Sequence, residues 1–150
     1  MKVRRLTDAD VRDITAWRYE GRYSTYDVTG GISPGLGYFA VENDRRLVGY
    51  CCFGAEARVP GVGEEEGTLD VGYGLRPDLV GRGLSRSFIG AILAFGIEHH
   101  RPRRLRVLVL RWNERSRRAA ERQGFELAGA HGDFDLLTRS VAVPAVDSRA

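Results

Sequence analysis

The order of elements predicts one α+β domain. Three observations lead there. Seven β-rich or alternating runs recur along the chain, at Lys2 to Leu6, Tyr38 to Glu42, Leu47 to Gly54, Thr68 to Leu75, Leu105 to Leu110, Glu126 to Ala130 and Phe134 to Val141. Helix-spaced apolar residues separate some of these runs, and short turns separate others. A length of 150 residues with 43% hydrophobic content suffices for one core and is short for two. The domain is expected over residues 1–142, with 143–150 as a mobile tail.

The elements follow in order. After the first strand, Thr7-x-x-Asp10 resembles a capping box and opens a helix with Val11, Ile14 and Trp17 on one face. Tyr19 to Gly37 is rich in Gly, Ser and Tyr and predicts an irregular or short-helical connection. The second and third strands form a hairpin across Asn43-Asp44, and a polar loop with the acidic run Glu64-Glu65-Glu66 leads to the fourth. Leu84, Phe88, Ala91, Ile92 and Phe95, with Ile89 and Leu93, predict a helix buried on two sides, closed by Pro102. Asn113 is an N-cap candidate and Gly124 a C-cap candidate for a third helix before the closing pair of strands, which turn at His131-Gly132-Asp133.

The chemistry concentrates between Leu75 and Phe88, where a strand runs through Val80-Gly81-Arg82-Gly83-Leu84-Ser85 into the long helix. Glycines at Gly81 and Gly83 open backbone angles that let successive N–H groups face one anion, and the helix dipole adds positive potential there. A dinucleotide loop is excluded because Arg86 holds the third glycine position. A nucleotide-triphosphate loop is excluded because the only lysine is Lys2.

The segment resembles the acyl-CoA loop of the GNAT superfamily of N-acyltransferases, [QR]-x-x-G-x-[GA], with Gly83 matching and Val80 and Ser85 departing. Asn113 to Phe125 resembles the same family's N-x-x-[AS]-x-x-x-[YA]-x-x-x-G-F stretch. Together the two, with the strands around them, cover most of Gly37 to Leu137. The resemblance implies a mostly antiparallel mixed sheet with two splayed strands, helices on both faces, and an N-acetyltransferase that moves an acetyl group from acetyl-CoA directly to an amine. It also implies main-chain contacts from Gly74, Leu75 and Arg76 to the cofactor arm, and diphosphate contacts from Gly81, Arg82, Gly83, Leu84, Ser85 and Arg86. For Asn113 capping and cofactor contact stand as even alternatives, and one residue can do both.

For catalysis, Asp70 in Asp70-Val71-Gly72-Tyr73 stands where many relatives carry a glutamate, and is the general-base candidate, acting through water. Ala120 holds the position of the family's frequent general-acid tyrosine, and Tyr73 is a substitute candidate. That departure sustains an alternative, a catalytically silent acyl-CoA-binding or sensor module. Trp17, Tyr19, Tyr23 and Tyr26 fall in the segment that borders the acceptor pocket in relatives.

Composition narrows the rest. No apolar run approaches the length of about 20 residues that crosses a bilayer, and the charged start lacks a signal-peptide core, so the expected location is cytoplasmic, with no membrane partner. Cys51 and Cys52 are adjacent on a strand and cannot bridge. His99, His100 and His131 lack metal-ligand spacing, so no metal is expected. The charge of +3 derives from arginines clustered at Arg101 to Arg122, which read as a solvated helix face interrupted by Glu114 and Glu121; nucleic acid is not the expected partner. The acceptor remains a small-molecule or peptide amine, and relatives of this kind often form homodimers.

Overall fold

The computed structural model describes residues 1–142, so the expected tail at 143–150 lies outside the described residues. Seven strands form one sheet: β1 (Lys2–Arg5), β2 (Tyr38–Asn43), β3 (Arg46–Phe53), β4 (Thr68–Leu75), β5 (Arg104–Leu110), β6 (Glu126–His131) and β7 (Phe134–Ser140). Their order is β1-β2-β3-β4-β5-β7-β6. Every neighbouring pair is antiparallel except β4 and β5. The exception follows from connectivity, since helix α2 (Ser85–His100) carries the chain back across the sheet between them. Helices α1 (Asp8–Ala16) and α3 (Glu114–Arg122) complete the fold.

Two apolar layers show which face each helix covers. Phe88, Ile89, Ile92 and Leu93 of α2 pack with Val41, Cys51, Val71, Leu105, Val107 and Leu137. Ile14 of α1 and Trp17, which follows it, pack on the opposite face with Leu6, Ile32 and Ala40. The capping box at Thr7 forms as its sequence predicts: Thr7 Oγ1 accepts from the Asp10 N–H, and the Asp10 carboxylate accepts from the Thr7 N–H at 2.8 Å. Arg4 grips the same carboxylate and joins α1 to β1.

One boundary differs from the sequence reading. The β2–β3 turn centres on Asp44 and Arg45, with φ of 50° and 66°, because a two-residue turn with both φ positive matches the twist of the flanking strands. Asn43 instead pairs with Arg46. Helix α2 stops before Pro102, at Arg101, which adopts a left-handed φ of 47° and donates its N–H to the Ile97 carbonyl. The acidic run is also put to structural use: Glu65 accepts from Arg104 and Arg106 of β5.

Cys51 and Cys52 are buried free thiols, Cys51 in the layer beneath α2 and Cys52 against the Tyr38 and Glu56 side. Burial disfavours the thiolate and pushes both groups up, Cys52 to about 12. At pH 8 almost no thiolate is therefore present. Neither thiol of the native protein should react with Ellman's reagent over minutes, while both should react in guanidinium; fast native labelling would show that β3 opens.

Candidate functional site

A wedge-shaped gap divides the sheet. β4 and β5 run side by side only at Thr68 with Arg104, Leu69 with Leu105 and Asp70 with Arg106. Beyond that point β4 continues along β3 as far as Leu75, and β5 continues along β7 as far as Leu110. The two strands separate because each follows a different neighbour. The Arg76 N–H donates to the Val48 carbonyl at 2.8 Å. Alternation along an antiparallel ladder then commits the main-chain groups of Gly74 and Arg76 to β3, and turns those of Tyr73 and Leu75 toward the gap. The Tyr19 hydroxyl reaches in and donates to the Leu75 carbonyl at 2.6 Å.

The glycine loop closes one end of the gap. Gly81 and Gly83 have φ of 79° and 76°, a region where a side chain is strained, and a Cβ at either position would meet nothing within 4 Å. Backbone geometry, not crowding, requires glycine here, and the space before the loop is open. Among the described residues no carbonyl accepts from the N–H groups of Gly81, Arg82, Gly83 or Leu84. Helix α2 starts at this point without a side-chain cap. Its first-turn donors and dipole add to the loop amides, and such a set of unpaired donors fits a diphosphate.

The cleft in front of the loop has a volume of about 380 Å³. Of the expected cofactor contacts, Gly74, Leu75, Gly81, Gly83, Leu84 and Ser85 border it, with the main chain of Gly74 paired to β3, and Tyr73 and Asn113 border it too. Tyr19, Tyr23 and Tyr26 form a wall opposite, while Trp17 is buried in the core with α1. Tyr73 packs edge-on against Phe88.

Four predicted residues stand elsewhere. Asp70 sits at the vertex of the wedge with its carboxylate sealed, bound by Arg106 Nε and Nη2 and, at 3.0 Å, by Arg58 Nη1. It does not line the cleft, and two guanidinium groups already occupy both oxygens, so the base candidate is an ion-pair partner in the structure. Arg76 is drawn back by Asp78 and the Leu47 carbonyl. The Arg82 Nε donates to the Asp78 carbonyl, and the Arg86 side chain is exposed away from the cleft. Asn113 lines the cleft and is engaged at both ends of its amide: Oδ1 accepts from the Ser116 N–H at 3.1 Å, and Nδ2 donates to the Tyr26 hydroxyl at 2.8 Å.

Sequence reasoning missed Tyr50, Phe88, Arg115, Ser116, Ala119 and Arg122, all of which border the cleft. The last four share one face of α3, at spacings that a helix brings together. The same geometry explains Ala120. It is fully buried in the core, and its neighbour Ala119 meets the cleft instead.

No carboxylate borders the cleft among the described residues; its charged groups are Arg115 and Arg122. Burial pushes Tyr19 up to about 12 and also raises Tyr26 and Tyr50, so these phenols keep their protons at neutral pH.

A sheet parted in this way, with open main chain on one edge and an anion loop at the helix start, defines the acyltransferase fold that the sequence motifs resemble. The family model described as "Acetyltransferase (GNAT) domain" matches residues 1–126. The chain belongs to the GNAT acetyltransferase family and is an acyltransferase by that membership. Among solved structures, the fold is similar to aminoglycoside acetyltransferase AAC(6')-Ib in complex with coenzyme A, with a TM-score of 0.76 and 17% identity over 93% of this chain and 94% of that one. It is similar to a chimera of the spermidine N-acetyltransferase SpeG from Vibrio cholerae and hSSAT, with a TM-score of 0.68 and 16% identity over 92% and 94% of the two chains. It is also similar to Campylobacter jejuni N-acetyltransferase PseH in complex with acetyl coenzyme A, with a TM-score of 0.58 and 18% identity over 70% and 67%. None of the curated proteins matches the chain in sequence.

Proposed function

We propose that the chain transfers an acetyl group from acetyl-CoA directly to a primary amine. The observation that carries this reading is the junction of a strand edge at Tyr73 and Leu75, which β5 does not pair, with loop amides at Gly81 to Leu84, from which no carbonyl accepts among the described residues. The first suits an extended amide arm, and the second suits its diphosphate. When bound, acetyl-CoA supplies an acyl carbon activated as a thioester, with a thiolate as leaving group.

The chain's own residues handle the protons. An alkylamine has a reference pKa of about 10.4 and enters solution mostly as ammonium. A cleft walled by tyrosines, with two guanidinium groups and no carboxylate, disfavours that cation and lowers its pKa. The amine thus sheds its proton to solvent water without needing Asp70. The new C–N bond forms as the C–S bond breaks; the nitrogen gives up a further proton to water as it becomes the amide, and the departing sulfur takes one up. Tyr26 is placed to give it: the hydroxyl oxygen accepts from Asn113, so its own proton is uncommitted among the described residues, and solvent restores it after each cycle. Tyr26 thereby takes the part that the Ala120 position does not supply.

The test is thiol release from acetyl-CoA across a panel of amines. Turnover is expected, and Tyr26→Phe should lower kcat by about tenfold to a hundredfold with coenzyme A affinity retained. An unchanged kcat removes Tyr26 from this role. Tight coenzyme A binding without turnover on any acceptor would favour the silent binding module.

A further inference from the structure

Resting on the acetyltransferase reading, we propose that the acceptor carries an anionic group, a carboxylate or a phosphate, beside its amine. The groove that receives it adjoins the cleft along α3. It has a volume of about 710 Å³ and shares Tyr23, Arg115 and Arg122 with the cleft. Such a size suits a small ligand.

The charge of this groove is one-sided. Six arginines line it, Arg22, Arg111, Arg115, Arg117, Arg118 and Arg122, against the single carboxylate of Glu114. Three of the six are held by protein carboxylates: Arg111 by Asp135, Arg117 by Glu114 and Glu121, and Arg118 by Glu114. Arg22, Arg115 and Arg122 have no carboxylate partner among the described residues. Two of these are nonetheless held in place. The Arg22 guanidinium lies 4.2 Å from the centre of the Trp112 ring and donates to the Trp112 carbonyl, and the Arg115 guanidinium lies 4.4 Å from the centre of the Tyr23 ring. A guanidinium stacked by its face keeps its N–H edge for an oxyanion, and little further side-chain freedom is lost when one binds.

Position assigns the groove to the acceptor. Arg22 and Tyr23 belong to the 3₁₀ turn Gly21–Tyr26, whose Tyr23 and Tyr26 line the same cleft as the glycine loop. A polycation would meet three uncompensated guanidinium groups, no carboxylate in the cleft, and in the groove only Glu114, already held by Arg117 and Arg118. An amine with an attached acid can place its acid against Arg22 and Arg115 and its neutral nitrogen between the tyrosines. The cofactor also bears phosphate, on its ribose, and the experiment separates the two sources.

The experiment measures steady-state kinetics with matched acceptors: amino acids, their amides and esters, O-phosphorylated amines and polyamines. Wild type is compared with Arg22→Gln and Arg115→Gln, each with acetyl-CoA and with its 3'-dephospho form. Anionic acceptors should exceed their neutral counterparts in kcat/KM by about tenfold or more, in line with charge-assisted hydrogen bonds. Both variants should raise the acceptor KM by about tenfold without changing the KM for acetyl-CoA. Acceptor KM in the wild type should also rise between 20 and 200 mM salt, a measurement that needs no variant. The proposal is overturned if polyamines or neutral amines are preferred. It is equally overturned if the variants raise only the KM for acetyl-CoA and the dephospho form abolishes that rise, which gives the arginines to the cofactor. Absence of acetyl-CoA binding altogether would instead defeat the acetyltransferase reading. If acetyl-CoA binds without turnover, calorimetry of the coenzyme A-loaded protein with aspartate and O-phosphoethanolamine decides, and no heat from either overturns the proposal.

Discussion

Gly83→Asp should weaken coenzyme A binding by about a thousandfold, the size expected when a carboxylate is set about 4 Å from a bound anion at an effective dielectric near 20. The fold should survive. Aspartate is among the few L-residues that tolerate a left-handed backbone, and a Cβ at this position meets nothing within 4 Å. Gly83→Asn supplies the matching control, since it has the same shape, similar backbone tolerance and no charge. Calorimetry with coenzyme A should find the asparagine variant within about tenfold of wild type. Equal losses in both variants would mean that side-chain bulk, not charge, disrupts binding, and that the loop amides do not face an anion.

Asp70→Ala should cost about 3–5 kcal/mol of stability, because it strands guanidinium groups in a buried site. In a domain of this size the loss appears as roughly 10 °C in Tm. Asp70, with a fully buried side chain, receives both Arg106 and Arg58, and Arg106 is itself nearly buried. These groups tie β4 to β5 at their last paired position, immediately before the strands part. Asp70→Asn should fall between wild type and alanine in stability. Its folded fraction should keep kcat, since the carboxylate does not border the cleft. Retained stability with lost turnover would falsify this assignment and restore Asp70 as the base.

Local signals carried the fold and half of the site. The capping box at Thr7, the N-cap at Asn113, the β4 boundaries and the glycine pair at Gly81 and Gly83 depend on a few neighbouring residues, and each appears where the sequence places it. The arginines were harder to sort. Arg117 and Arg118 form the solvated ion pairs expected of α3, yet Arg115 and Arg122 on the same helix turn into the cleft. Nothing in their spacing distinguishes them until the direction in which the cleft lies is known. The setting of Asp70 was hidden for a related reason: its place in β4 resembled the family's base position, while its partner Arg106 lies 36 residues downstream and meets it only through the parallel pairing.

By itself, then, the sequence determined the succession of strands and helices, the family, and the loop that presents its amides, because these rest on backbone preferences over short stretches. Only the tertiary structure decided that Asp70 is locked in an ion pair, that Tyr26 borders the cleft and its hydroxyl accepts from Asn113, and that Arg22, Arg115 and Arg122 have no carboxylate partners among the described residues. Those properties depend on which side chains from distant segments share the same few ångströms, and that proximity exists only once the sheet has parted and the helices have docked.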